Sequence, residues 1–214
     1  MRRSTLRQLP RLPVAWIAAL LAVACSDSGM PTDPFGPTEE PAAQLNILSV
    51  APTAAEPEAA SVSFYAYKNK RSEGRIRLAD QPGNGGGNEY LRLTIPKDAL
   101  LAHPDGTPFA SLDSVLITIR VADPARILFE LEPSGLRFDP AAMPELRIRY
   151  EVADDDLDRN GRHDADDDSI EEHLGIWRQE ALEDPFIRLE SVVVRNNHEV
   201  RARLLGFSRY AIAY

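Results

Sequence analysis

Eight aspartates crowd residues 154–168, and with two arginines they leave that stretch a net charge of −6. Within it, Asp156-Leu-Asp158-Arg-Asn160-Gly161-Arg162-His-Asp164-Ala-Asp166-Asp167 sets oxygen-bearing residues at positions 1, 3, 5, 9 and 12 of a twelve-residue loop. Gly161 stands at position 6, where a calcium loop must turn sharply. Carboxylates aimed at one centre repel each other, and a hard divalent cation relieves that repulsion. The spacing points to Ca²⁺. Asp156, Asp158 and Asn160 would supply side-chain oxygens and Arg162 its backbone carbonyl. Asp164 would act directly or through water, and Asp167 would close the site.

The loop resembles that of EF-hands, and more closely the aspartate-closed loop of dockerins. It departs from them in three ways. His163 occupies position 8, where an apolar residue normally tethers the loop, and Asp167 reaches less far than a bidentate glutamate. The incoming element reads as a strand rather than a helix. No helix pair stands ready to open around the ion, so the expected role is structural: a bound ion would fold a long insertion and keep the flanking strands in register. The alternative is a solvated acidic turn, the usual meaning of a charge run.

Other chemistry finds little support. His103, His163, His173 and His198 are scattered without a His-Glu-x-x-His pattern, and there is no Gly-x-Ser-x-Gly elbow. The run Gln81-Pro-Gly-Asn-Gly-Gly-Gly-Asn88 lacks the Lys-Ser/Thr ending of a phosphate loop and reads as a flexible turn. Glu171 and Glu172 read as surface carboxylates, and Trp177 as core. With no convergent acid, base and nucleophile, the expectation is a non-enzymatic protein. The chain carries a net charge of −9. Nucleic-acid binding, which needs clustered Lys and Arg, is therefore not expected.

The first residues read as a leader. Arg2, Arg3, Arg7 and Arg11 precede the apolar run Val14–Ala24, which is short for a membrane span and suits a signal peptide over 1–24. It ends in Leu21-Ala-Val-Ala-Cys25, and Cys25 is the only cysteine. This resembles a bacterial lipoprotein signal, which implies diacylation of the Cys25 thiol, acylation (palmitate or similar) of the new amine, and a membrane anchor. Without the four leader arginines the mature net charge would be −13. Lipidated Cys25 leaves no disulfide, so stability must come from a packed core. Residues 25–60 contain Pro31, Pro34, Pro37, Pro41, Pro52 and Pro57 and read as a tether. Leu45–Val50 within it is apolar enough to add a strand. The expected location is the bacterial cell envelope, at the outer membrane or cell surface rather than the inner membrane.

Residues 61–214 then form one domain of about 150 residues, enough for a real core. Short apolar runs alternate with turn residues: Ser61–Tyr67, Gly74–Ala79, Tyr90–Ile95, Ser114–Val121, Ile127–Leu131, Leu146–Val152, Gly175–Gln179, Phe186–Leu189, Ser191–Val194, Glu199–Leu204 and Phe207–Tyr214. Helical turns are expected at Asp98–Leu101 and Ile170–Leu174. The fold class is all-β, an antiparallel β-sandwich with one acidic calcium-loop insertion.

Three segments carry a further likeness: Leu93-Thr-Ile-Pro96-Lys-Asp-Ala-Leu100, Leu131-Glu-Pro-Ser-Gly135-Leu-Arg-Phe138-Asp-Pro140 and Gly206-Phe-Ser-Arg-Tyr-Ala211. In that order they resemble the β-sandwich domain shared by zonula occludens proteins, netrin receptors and ankyrins, over roughly 90–214. The resemblance implies a protein-binding module, with another envelope protein as partner. Some relatives cut their own backbone at His-Phe-Ser. This chain has Gly206-Phe207-Ser208, without the histidine that would serve as base. A second reading is an accessory adaptor of an envelope enzyme system, or a degenerate self-cleaving domain.

Overall fold

The structure is a computed structural model and describes residues 39–79 and 87–214, all within a compact unit spanning 37–214. The leader over 1–24, Cys25, the tether up to 38 and the glycine-rich turn from 80 to 86 lie outside the described residues. In chain order the strands are β1 (Glu39–Glu40), β2 (Ser61–Tyr67), β3 (Ser72–Arg77), β4 (Glu89–Ile95), β5 (Leu100–Ala102), β6 (Ser114–Asp123) and β7 (Leu128–Glu132). There follow β8 (Arg137–Phe138), β9 (Glu145–Arg149), β10 (Gly175–Gln179), β11 (Phe186–Arg188), β12 (Ser191–Val194), β13 (Glu199–Arg203) and β14 (Arg209–Ala213). Among the described residues, one α-helix, α1 (Ala165–Glu172), lies between β9 and β10, and a single 3₁₀ turn occupies Arg195–Asn197. Among the described residues, no helix is long and apolar enough to cross a membrane.

The strands form a seven-stranded sheet in the order β1-β11-β10-β14-β7-β6-β2 and a five-stranded sheet in the order β12-β13-β9-β4-β3, with β5 and β8 as a separate pair. Every pairing is antiparallel. This is the all-β sandwich that the alternating patterns call for. Period-2 alternation explains which residues face inward. Leu91, Leu93, Leu146, Ile148 and Val200 on one sheet are fully buried, as are Ile117, Ile119, Phe129, Tyr210 and Ile212 on the other, and all belong to one core. Each such side chain contributes about 1.5–3 kcal/mol on leaving water. Gly74 lets the two sheets close at the β2–β3 corner, since a Cβ there would lie 2.2 Å from the Phe64 ring.

Two elements differ from the sequence reading. Asp98–Leu101 makes no helical turn. Asp98 turns the chain at φ 67°, and Leu100 then pairs with Phe138 in β5–β8, with Leu100 and Ala102 buried and Leu101 exposed. Burial with period 2 prevails there over helix propensity. The helix expected at Ile170–Leu174 instead spans Ala165–Glu172, starting inside the acidic run. The aspartates are helix-start residues as well as oxygen donors.

The larger difference is the N-terminal boundary. From residue 39 the chain is a strap packed on the sandwich rather than a tether. β1 pairs with β11, Ile47 bridges Ala213, Ser49 bridges Arg126, and Val50 bridges Ala153. Leu45 and Ile47 pack with Trp177, Phe186 and Ala213 in a second buried cluster, and Leu48 enters the main core. Leu45-Asn-Ile-Leu-Ser-Val50 has enough apolar surface to favour docking over solvation, despite its proline-rich flanks.

The three segments that carry the resemblance meet in one corner. Asp139 N–H donates to the Ala99 carbonyl at 2.8 Å, and Leu131 N–H donates to the Ser208 carbonyl at 2.9 Å. The Phe138 and Phe207 rings meet edge to face with centroids 4.9 Å apart.

Candidate metal centre

The acidic loop hangs between β9 and α1, and its entry is fixed by the strap. Ala51 N–H donates to the Val152 carbonyl at 2.9 Å, and Asp154 N–H to the Ser49 carbonyl at 3.0 Å. Leu157 packs against the core, and the Tyr214 hydroxyl donates to its carbonyl. Two anchors of the loop thus come from the far ends of the folded chain. At the exit, the Tyr150 hydroxyl donates to Glu171 Oε1 at 2.7 Å, tying the end of β9 to α1. Burial and that hydrogen bond push the Tyr150 hydroxyl well above the ordinary tyrosine range.

Arg195, on the 3₁₀ turn between β12 and β13, holds α1 from the other side. Its guanidinium donates to Glu171 Oε2 at 2.9 Å, Glu172 Oε1 at 3.0 Å and Asp168 Oδ1 at 3.0 Å. Glu171 and Glu172 are therefore structural partners of an arginine.

Inside the loop the side chains fold onto the backbone. Asp156 accepts from Asn160 N–H at 2.9 Å and, through its other oxygen, from Gly161 N–H at 2.8 Å. Gly161 has φ +86°, the left-handed region that glycine enters without strain, so its place in the sequence has a backbone cause. Asp158 accepts from Asn160 N–H at 2.9 Å and from Asn160 Nδ2 at 2.7 Å. Asn160 Nδ2 also donates to Asp164 Oδ2 at 3.3 Å, while Asn160 Oδ1 accepts from Arg162 N–H at 2.9 Å.

Asp167 is the pivot. Its side chain is fully buried although it belongs to an acidic surface loop. Oδ1 accepts from Asp158 N–H at 3.0 Å and Oδ2 from Asp164 N–H at 2.9 Å. Asp164 is the N-cap of α1 and accepts from Asp166 N–H at 3.0 Å, so Asp164 and Asp167 form a reciprocal capping box. These backbone donors, those of Asp164 and Asp158 first, hold the Asp167 carboxyl below the usual aspartate range. His163 folds back so that Nδ1 donates to the Asp155 carbonyl at 3.1 Å and lies 3.9 Å from Asp167 Oδ2. That hydrogen bond and the surrounding carboxylates raise its pKa.

Carboxylate oxygens of Asp156, Asp158 and Asp167 lie within 4.8 Å of one another, and so do those of Asp158, Asp164 and Asp166. Of the six residues read as ligands, the structure gathers Asp156, Asp158 and Asp167 into one group. It places Asn160 and Asp164 beside them, linked by the Asn160 amide, while Arg162 meets the loop through its backbone N–H, donated to Asn160 Oδ1, rather than through the carbonyl read as a ligand. Asp166 joins the second group and was not among the six. Nothing in the sequence points to Tyr150, Arg195 or Tyr214 as supports, because each is distant along the chain. The donor set consists of hard oxygens, the kind that Ca²⁺ takes six to eight of. The neutral amide N–H groups of Asn160 sit between Asp158 and Asp164 and donate to both carboxylates. Beside the loop lies a cavity of about 420 Å³, lined by Tyr150, Leu157, His163, Asp167, Glu171 and His198 among others.

No family model matches the chain, and neither a curated protein nor a solved structure matches it. Ser208, at the corner where the three familiar segments meet, is buried, and its Oγ has no hydrogen-bond partner among the described residues. A nucleophilic hydroxyl needs a base within hydrogen-bond reach.

Proposed function

We propose that this chain is a calcium-binding β-sandwich module of the bacterial cell envelope, anchored through lipidated Cys25, with a structural or protein-interaction role. The observation that supports it best is the approach of the Asp156, Asp158 and Asp167 carboxylates to within 4.8 Å across a loop turned by Gly161. Bound Ca²⁺ would neutralise their mutual repulsion and tie the start of the loop to α1. The protein's own part is positional. The strap and Tyr214 fix the entry, Arg195 and Tyr150 fix α1, and the capping box holds Asp167 in place. The ion's role is to stabilise rather than to open the domain, because α1 has no partner helix among the described residues.

The interaction role draws support from the resemblance of the 93–100, 131–140 and 206–211 segments to a family of binding modules, and from their meeting in one corner. The expected ligand of the module is another envelope protein.

The test is calorimetric titration of residues 26–214 with Ca²⁺, with thermal melts in calcium and in chelator. Binding in the range of about 10⁻⁴–10⁻³ M or tighter is expected, with a raised melting temperature that Asp156→Ala abolishes. No heat and no shift at millimolar calcium would reduce the loop to a solvated acidic turn.

A further inference from the structure

The outer face of the five-stranded sheet carries an unusual row. The register sets Arg75 opposite Arg92, Arg92 opposite Arg147, and Arg147 opposite Arg201, so four arginines stand side by side across β3, β4, β9 and β13. Neighbouring strands are about 4.8 Å apart. Like charges directly opposite each other destabilise a sheet. Threonine or glutamine would fill these positions at no such cost, so stability alone does not account for the row.

The row is offset from within the sheet. Glu73 and Glu145 pair with Arg75 and Arg147 at the surface. Within the sheet, Glu89 sits between Arg75 and Arg92, and Glu199 accepts from Arg201 and lies 4.0 Å from Arg149. These carboxylates lie beneath their arginines: Glu89 and Glu199 side chains are 13% and 5% exposed, against 39% for Arg75 and 33% for Arg201. A carboxylate engages only part of a guanidinium's five donors, so the outward edges of the forks remain available to an anion. Along the face, arginines outnumber glutamates, although the chain as a whole carries −9.

One side of the row opens into a concavity of about 460 Å³ lined by Arg71, Arg147, Arg203 and Thr94, with the single carboxylate of Glu145 paired to Arg147 and with Pro96 and Met143 as walls. Arg203 is exposed and has no ion pair among the described residues. The row and this concavity form one continuous basic track.

We propose that the track binds a linear acidic polysaccharide, a polyuronate whose carboxylates recur along a stiff chain. Guanidiniums set at a fixed inter-strand repeat match a polymer with regularly spaced anions and meet each carboxylate in a forked, charge-assisted pair. Glu73 and Glu145 are engaged by Arg71, Arg75 and Arg147, so the sugar hydroxyls would meet Thr94 and the outward N–H edges of the guanidiniums. A lipid surface would meet the acidic remainder of the molecule. The proposal goes beyond the calcium reading and does not depend on it, since none of these arginines contacts residues 156–167.

The test is calorimetric binding of residues 26–214 to hexagalacturonate, with its methyl ester, hexaglutamate and anionic phospholipid vesicles in parallel, each in calcium and in chelator. Salt-dependent binding of hexagalacturonate is expected in both conditions, with no binding of the ester. Arg92→Gln combined with Arg147→Gln should weaken it by at least about tenfold. Arg203→Gln, at an exposed unpaired position that leaves the melt unchanged, should weaken it in the same direction. Arg120→Gln on the other sheet should leave it intact. Absence of hexagalacturonate binding overturns the proposal, as do unchanged binding in the sheet variants, equal binding of the ester, and equal binding of hexaglutamate or vesicles. Loss of the calcium-dependent melt shift alone would overturn only the metal reading.

Discussion

The backbone N–H of Asp158 donates to the buried carboxylate of Asp167, 3.0 Å away and nine residues on. This contact closes the acidic loop on itself: the third position of the loop is stapled to the twelfth before any ion enters. Asp167 thus serves two purposes, as part of the α1 capping box and as the closing oxygen donor.

That double role separates two variants. Asp164→Ala removes the N-cap acceptor and should cost about 1 kcal/mol of stability already in chelator, and more in calcium, where it also takes an oxygen from the site. Asp156→Ala removes only an acceptor for the exposed Asn160 and Gly161 amides. It should leave the chelator melt nearly unchanged and abolish the calcium-induced rise. Paired melts of the two proteins check this. A calcium response that survives in Asp156→Ala would remove Asp156 from the site.

Arg195→Ala should weaken calcium binding without touching a ligand. Its guanidinium is the clamp that joins Asp168, Glu171 and Glu172 of α1 to the β12–β13 turn. Freed of it, α1 presents Asp167 less rigidly. An affinity loss of about tenfold is expected, the lower end for partners that orient metal ligands. Arg195→Lys cannot reproduce three simultaneous contacts and should fall between the two in a calcium titration.

How much of this was legible beforehand follows the range of each physical signal. Ser61–Tyr67 and Ser191–Val194 match their strands residue for residue, because period-2 burial is written in local sequence. Gly161 is legible too, since a positive φ at the sixth position has one common solution. Leu45–Val50 showed enough apolar character to add a strand, but where Leu45 and Ile47 dock was not legible, because proline content argues locally for extension while the deciding term is a distant apolar socket around Trp177 and Phe186. Asp164 and Asp167 read as ligands, and their capping role was masked by the same residue type serving both ends. Strand register, which aligns Arg75, Arg92, Arg147 and Arg201, is invisible until the pairing is known.

The strap makes its own prediction. Leu48 is buried in the core, and its N–H and carbonyl are both engaged, with Ile212 and Ile127. Leu48→Ala should cost about 2–5 kcal/mol, as large-to-small core changes do. A chain begun at residue 61 should fare worse, because Trp177, Ala211 and Ala213 lose their cover. Urea unfolding followed by Trp177 fluorescence checks both. A chain of 61–214 as stable as 39–214 would show the strap to be dispensable.

Acid stability should depend on the glutamates beneath the arginine row. Burial alone would raise the pKa of Glu73, but the hydrogen bond from Arg75 and the charges of Arg75, Arg92 and Arg71 overcome it and hold the carboxyl below its ordinary 4.5. A folded-state pKa below the unfolded value means the stabilisation is fully present above pH 4.5. It is lost as the pH falls through the folded value. Glu73→Gln should therefore reduce stability at pH 7 and make the fall in melting temperature below pH 4.5 shallower, while both proteins converge at the most acid pH. The glutamine keeps an acceptor for Arg75 and removes only the charge. Melts across that range decide it: parallel curves for the two proteins would show that Glu73 titrates as it does in the unfolded chain.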